Sequence, residues 1–350
     1  MKVAIVGLGA IGGLFAGWLG QRLPAGEISL SALARGATLA AVQREGLWVH
    51  GSEGALAVPL KASDSAAELG VQDLVILAVK GPALAAVAPA VAALCGPHTQ
   101  VLAAMNGVPW WFFEGLPGRQ QGLVLNSVDP GGTVRALLPA QRVVGCVVHA
   151  SSTAPAPGQV RHAMGQGLVI GRASGGIDAP LQHLAALLGR AGFAVTMSQQ
   201  VQREVWFKLW GNMTMNPVSA LTGAPCDRIL DDPLVRGFCS AVMLEAQQIG
   251  AAIGIPIEQE PEARHAVTRK LGSFKTSMLQ DAEAGRPLEL DALVGAVREI
   301  GQHLGLATPH IDTLFGLVRL MAQQRGLYPT GPSAMSDISA MSATIATAAG

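Results

Sequence analysis

The chain of 350 residues is longer than one small domain needs, so two domains are expected. Its formal net charge is zero and only 14% of its residues are charged, which excludes the basic face that nucleic acid requires. Half of the residues are hydrophobic but only 4% aromatic, so a large core must be built mainly from Ala, Leu and Val.

The opening segment, MKVAIVGLGAIGGLFAGWLG, reads as strand, turn and helix. Lys2–Val6 is short and apolar, the pattern of a strand buried on both faces of a parallel sheet. A helix follows to about Leu23. The run from Val3 to Gly20 carries no charge, which raises a membrane-span reading, but glycines at 7, 9, 12, 13, 17 and 20 speak against a continuous span. Gly7, Leu8, Gly9, Ala10, Ile11 and Gly12 form a GxGxxG loop between that strand and that helix. The first glycine allows the tight turn, the second lets backbone approach a pyrophosphate, and the third lets helix and strand pack closely. Free amides and the helix dipole then attract the phosphates of a dinucleotide.

Ile28–Leu33 is a second strand, ending in Leu33-Ala34-Arg35-Gly36. An NAD site usually carries a carboxylate at this strand end for the ribose 2′-hydroxyl. Here Arg35 offers a fork of donors suited to a 2′-phosphate, so NADP(H) is the expected cofactor. Leu47–His50 and Ala57–Leu60 read as a small hairpin. Leu74–Val79 is a buried strand, followed by an Ala-rich helix over about Ala83–Leu94. Gln100–Ala104 and Leu123–Ser127 read as strands, and Val143–Ala150 and Gly167–Ile170 as strands of a more antiparallel region. Alternating strands and helices predict an α/β fold with a Rossmann-type doubly wound sheet.

From Val201 the periodicity is helical. Asp232-Pro233 reads as N-cap and first-turn proline of a helix to about Gly250, and Thr308-Pro309 repeats the signal before IDTLFGLVRLMAQQ. The expected division is a dinucleotide-binding domain over 1–198, an all-helical domain over 199–330, and a loosely ordered tail over 331–350. In the helical part, Lys208, Asn212 and Asn216 recur at i, i+4 and i+8, one polar stripe among Trp206, Phe207, Leu209, Trp210, Met213 and Met215. Pro217 frees the carbonyl of Met213 within the same helix. A polar stripe on so apolar a helix fits a cleft filled by a polar ligand. A desolvated lysine there could donate the proton that ketone reduction requires. A lysine reaching to solvent, with asparagines satisfied by backbone, is the structural alternative.

The segments GLGAIG, LAVK at 77–80, MNG at 105–107, KLWGNMTMNPVSALTG at 208–223 and SMLQDAEAGRPLEL at 277–290 resemble the ketopantoate reductase family over roughly residues 1–320. The resemblance implies a Rossmann domain and a helical domain with the active site between them. It also implies NADPH-dependent reduction of a 2-oxo acid, ketopantoate to pantoate, on the route to pantothenate and coenzyme A. By that resemblance Lys208 is the general acid and Glu289 binds the substrate hydroxyl and tunes the lysine. Asn212, Asn216 and Ser277 contact the substrate, with Ser277 on its carboxylate. Asn106 lies near the nicotinamide ribose, Lys80 at the cofactor–substrate junction, and Arg35 on the 2′-phosphate. Two features depart from the family pattern: Leu288 stands where threonine often precedes the glutamate, and Val108–Leu116 is unusually aromatic. That stretch is either core or a wall of the substrate site. The rival functions are a related hydroxyacid dehydrogenase of the same plan and a non-catalytic NADP-binding regulator.

No metal site is expected. Cys95, Cys146, Cys226 and Cys239 are scattered, the eight histidines show no ligand spacing, and reduced thiols in a cytoplasmic protein are the simplest reading. The expected partners are a small 2-oxo acid and, through an apolar helix face, a second copy in a homodimer, with no nucleic acid and no membrane.

Overall fold

The computed structural model describes residues 1–51 and 54–330. The expected tail over 331–350 lies outside the described residues. Ten strands form one sheet: β1 (Lys2–Val6), β2 (Ser29–Leu33), β3 (Leu47–Gly51), β4 (Gly54–Val58), β5 (Lys61–Ser63), β6 (Gln72–Leu77), β7 (Cys95–Ala103), β8 (Val143–Thr153), β9 (Gln159–Arg172) and β10 (Ala194–Met197). Six helices are interleaved with them: α1 (Ala10–Arg22), α2 (Gly36–Glu45), α3 (Ala66–Leu69), α4 (Leu84–Ala93), α5 (Thr133–Leu137) and α6 (Ala179–Arg190). From Val201 the described chain is helical: α7 (Val201–Thr222), α8 (Cys226–Asp231), α9 (Pro233–Ala252), α10 (Pro261–Arg269), α11 (Ser277–Glu283), α12 (Ala296–Leu304) and α13 (Pro309–Gln324), with a π-helical turn at Asp291–Gly295. None of the described helices is long and apolar enough to cross a membrane.

The strand order is β4-β3-β9-β8-β7-β6-β1-β2-β5, with β10 beside β9. Strands β5, β2, β1, β6, β7 and β8 run parallel, β9 is antiparallel to β8, and the β3–β4 hairpin extends the sheet beyond β9. The sheet is therefore mixed, with a doubly wound parallel portion. Strand β1 lies between β2 and β6, where the chain order reverses, and Val3, Ala4 and Ile5 are fully buried. Ligands of open α/β sheets gather at such a reversal, beyond the carboxyl ends of the strands.

Helix α1 lies close on the sheet because its face is stripped of side chains. Gly13, Gly17 and Gly20 lie against Val160, Val49 and Val58, and a methyl at any of them would overlap the valine. In the helical part, α7 runs through the middle, against α9, α11, α13 and strand β8. It continues unbroken across Pro217.

Two expectations need correction, and one open alternative is resolved. Leu123–Ser127 is not a strand. Its backbone is satisfied by a turn, in which the amides of Val128 and Asp129 donate to the carbonyl of Leu125. The Glu299 carboxylate completes this by accepting from the amides of Asn126 at 2.7 Å and Ser127 at 2.8 Å. The side chain of Asp232 caps α9 as expected, accepting from Leu234 and Val235, but the side chain of Thr308 does not cap α13. The buried Glu245 of α9 does so from outside, accepting from the amides of His310 and Ile311, both at 2.9 Å. The aromatic stretch is core. Trp110, Trp111, Phe112 and Phe113 are all buried, Phe112 rests on Trp206 of α7, and Trp110 Nε1 donates to the Leu138 carbonyl.

Candidate functional site

The ends of four adjacent parallel strands gather the first group of residues. In the strand register Val6 faces Leu33 on one side and Leu77 on the other, and Leu77 faces Ala103. The residues just beyond these ends are the glycine loop, Arg35, Lys80 and Asn106. Gly7 has φ +90°, open to a residue without a Cβ, and a methyl at Gly12 would overlap the Gly7 carbonyl oxygen. A methyl at Gly9 would meet nothing within 4 Å. That position faces open space beside the first turn of α1, where no side chain caps the amides. These features fit a diphosphate held by backbone. Arg35 is exposed at the N-cap of α2, and its side chain makes no hydrogen bond among the described residues.

Helix α7 brings the second group to the same edge. Lys208 is half-buried, and its Nζ donates to Asn106 Oδ1 and to the Val148 carbonyl, each at 2.8 Å. Burial lowers its pKa from the ordinary 10.5 to about 8; the charges of Cys146 and Glu289 act against the shift and that of Arg264 acts with it. Burial pushes the Cys146 thiol up to about 12, so at neutral pH it is uncharged. Asn212 is half-buried and Asn216 is 6% exposed, yet neither side-chain amide has a hydrogen-bond partner among the described residues. Neither amide is sealed from solvent, so both face open space in which a polar ligand fits.

Glu289 sits just before the π-helical turn and accepts from the Gly81 amide at 2.9 Å. Burial raises its pKa, opposed by the Gly81 hydrogen bond and the charges of Lys80 and Lys208. Lys80 is ion-paired with the buried Asp281, which also holds Arg286 at 2.8 Å. A third bridge runs from the Val108 amide to the Ala292 carbonyl at 2.8 Å. It requires Gly107, whose φ is +82° and where a Cβ would lie 2.6 Å from that same carbonyl oxygen. Thus Asn106, Lys80, Glu289 and Lys208 are joined across the two parts of the chain.

Ser277 lies on α11, which packs against α7 and carries Asp281 one helical turn further on. It is exposed in the first turn of α11, and no hydrogen bond links it to Lys208, Glu289 or the asparagines. Two residues beside Lys208 went unnoticed in the sequence: His149 on β8 and Arg264 on α10. Burial lowers the pKa of His149, and the charges of Lys208 and Arg264 push it the same way. Asp281 also gave no separate signal, although it lies within the segment SMLQDAEAGRPLEL.

Two family models match the chain, ketopantoate reductase PanE/ApbA over residues 3–109 and its C-terminal counterpart over residues 200–322. A 2-dehydropantoate 2-reductase of Mesorhizobium japonicum is 42% identical over 94% of this chain and 100% of its own. A crystal structure from Ralstonia solanacearum MolK2, provisionally assigned as a ketopantoate reductase, superposes with TM-score 0.89 at 56% identity, covering 93% of this chain and 99% of its own. A D-mandelate dehydrogenase solved with NADH and anilino(oxo)acetate shares the fold at TM-score 0.79 with 21% identity, covering 93% of this chain and 100% of its own.

Proposed function

The chain belongs to the ketopantoate reductase family of oxidoreductases, and from that premise we propose that it uses NADPH to reduce a 2-oxo acid, ketopantoate being the expected substrate. The observation that carries this reading is the half-buried ammonium of Lys208, held by Asn106 and Val148 at the edge where the glycine loop opens. Arg35, with no partner among the described residues, supports NADPH over NADH.

When bound, the reduced nicotinamide supplies a hydride to the keto carbon. Lys208 gives a proton from Nζ to the ketone oxygen as negative charge develops there. A pKa of about 8 makes it a stronger acid than a solvated lysine while leaving it mostly protonated at neutral pH. Asn106 and the Val148 carbonyl aim Nζ, and the partnerless amides of Asn212 and Asn216 orient the substrate. Glu289, fixed by the Gly81 amide, accepts from the substrate hydroxyl and keeps Lys208 charged.

The test is NADPH oxidation by the purified protein against a panel of 2-oxo acids that includes ketopantoate. Efficient turnover of ketopantoate with a strong NADPH preference is expected. Preference for another 2-oxo acid would remove the pantothenate assignment, equal use of NADH would remove the role of Arg35, and NADPH binding without any turnover would favour a regulator.

A further inference from the structure

The helical part places a second cationic side chain near Lys208. Arg264 lies on α10, and its guanidinium packs against Gly211 of α7, where a Cβ would sit 2.7 Å from Nε. Gly211 falls three residues after Lys208 and one before Asn212, on the polar stripe of that helix. The guanidinium also sits 5.4 Å from the centre of the Phe207 ring. Its Nε is buried and has no hydrogen-bond partner, and no carboxylate lies within ion-pair distance among the described residues. A half-buried cation left with an unanswered donor is costly unless something anionic joins it. The absence of a side chain at 211 is what admits the guanidinium to this face. Gly211 lies within one helical turn of Lys208, so the guanidinium stands near that lysine, and its charge acts on both Lys208 and His149. Two cationic side chains so placed favour an anion that brings its own oxygens.

We propose that Arg264 binds the substrate's carboxylate, so that the acid group is held between α7 and α10. This rests on the 2-oxo acid reading above. A carboxylate seated on a planar fork of donors has its orientation fixed as well as its charge balanced. The keto group one bond away is then delivered toward Lys208, three residues from the glycine under the fork.

The experiment compares the wild type with Arg264→Met and Arg264→Lys, using the preferred 2-oxo acid and its uncharged 2-oxo amide. The expected result for Arg264→Met is a rise of about a hundredfold in KM for the acid, about 3 kcal/mol at 1.36 kcal/mol per decade, with kcat and NADPH affinity nearly unchanged. KM for the amide should hardly move, and Arg264→Lys should recover part of the loss. Equal losses for acid and amide, or an unchanged KM for the acid in a folded variant, would overturn the proposal. A Ser277→Ala variant that alone carries the acid-specific loss would do the same. If the wild type itself reduces no 2-oxo acid, the functional reading fails first, and titration with oxalate, read as thermal stabilisation lost in Arg264→Met but not in Ser277→Ala, still decides the anion site.

Discussion

Replacing Lys208 by methionine separates the thermodynamics of its burial from its chemistry. Burial moves the pKa from 10.5 to about 8. Below about pH 8 the native and unfolded chains both carry the proton, so the cost of burying the charge is fully present. Between about 8 and 10.5 the unfolded chain keeps a proton that the native chain has lost, and stability rises with pH. At about 1.4 kcal/mol per pH unit, the gain over that window totals about 3 kcal/mol. The methionine variant has no such group. The difference in unfolding free energy between wild type and variant should therefore shift by that amount in favour of the wild type across the window. The hydrogen bonds to Asn106 and Val148 that the variant forfeits change the offset at every pH by the same amount below the transition, not its onset. Urea unfolding of both proteins at closely spaced pH values measures the shift. In parallel, kcat/KM of the wild type should fall about tenfold per pH unit above about 8, as for any acid that must be protonated. Stability curves that stay parallel, together with a rate flat to about pH 10, would refute the claim that Lys208 is desolvated and acts as the acid.

Arg35→Ala should raise KM for NADPH by about 10- to 100-fold, the worth of a charge-assisted pair, and leave KM for NADH nearly unchanged. Gly9→Ala should fold normally, since its methyl meets open space, but weaken dinucleotide binding in a fluorescence titration. Gly12→Ala should instead be unstable before any cofactor is added, because its methyl overlaps the Gly7 carbonyl. Glu299→Ala should lower stability by roughly 2 kcal/mol by removing the charged acceptor that the Asn126 and Ser127 amides share, with Glu299→Gln recovering part of it in a urea-unfolding assay.

The parallel half was legible because its signals are local. A strand buried on both faces has no alternation to hide, and GxGxxG must stand between a strand and a helix to work. The stripe from Lys208 to Asn216 was legible for the same reason, since helical spacing alone sets its face. What escaped depended on partners far along the chain. Leu123–Ser127 has a strand's composition, but Glu299, more than 170 residues away, takes its amides. Thr308 has the sequence of a cap, but Glu245 supplies the carboxylate. Arg264 lies in an ordinary amphipathic helix and gains meaning only when Gly211 is found beneath it.

The bridges between the two parts have a consequence for how such a chain can change over generations. Lys208 is aimed by Asn106, Glu289 by Gly81, and the turn after Leu290 by Val108. Each pairing takes one member from a turn beyond the parallel strands and one from the helical part of the chain. A nucleotide-binding half borrowed from an unrelated enzyme would bring its own glycine loop and still leave the lysine unaimed, unless it also carried asparagine and glycine at 106 and 107. The two halves therefore work only as a matched pair, and a new substrate is more readily reached by changing single side chains around α7 and α10 than by exchanging modules.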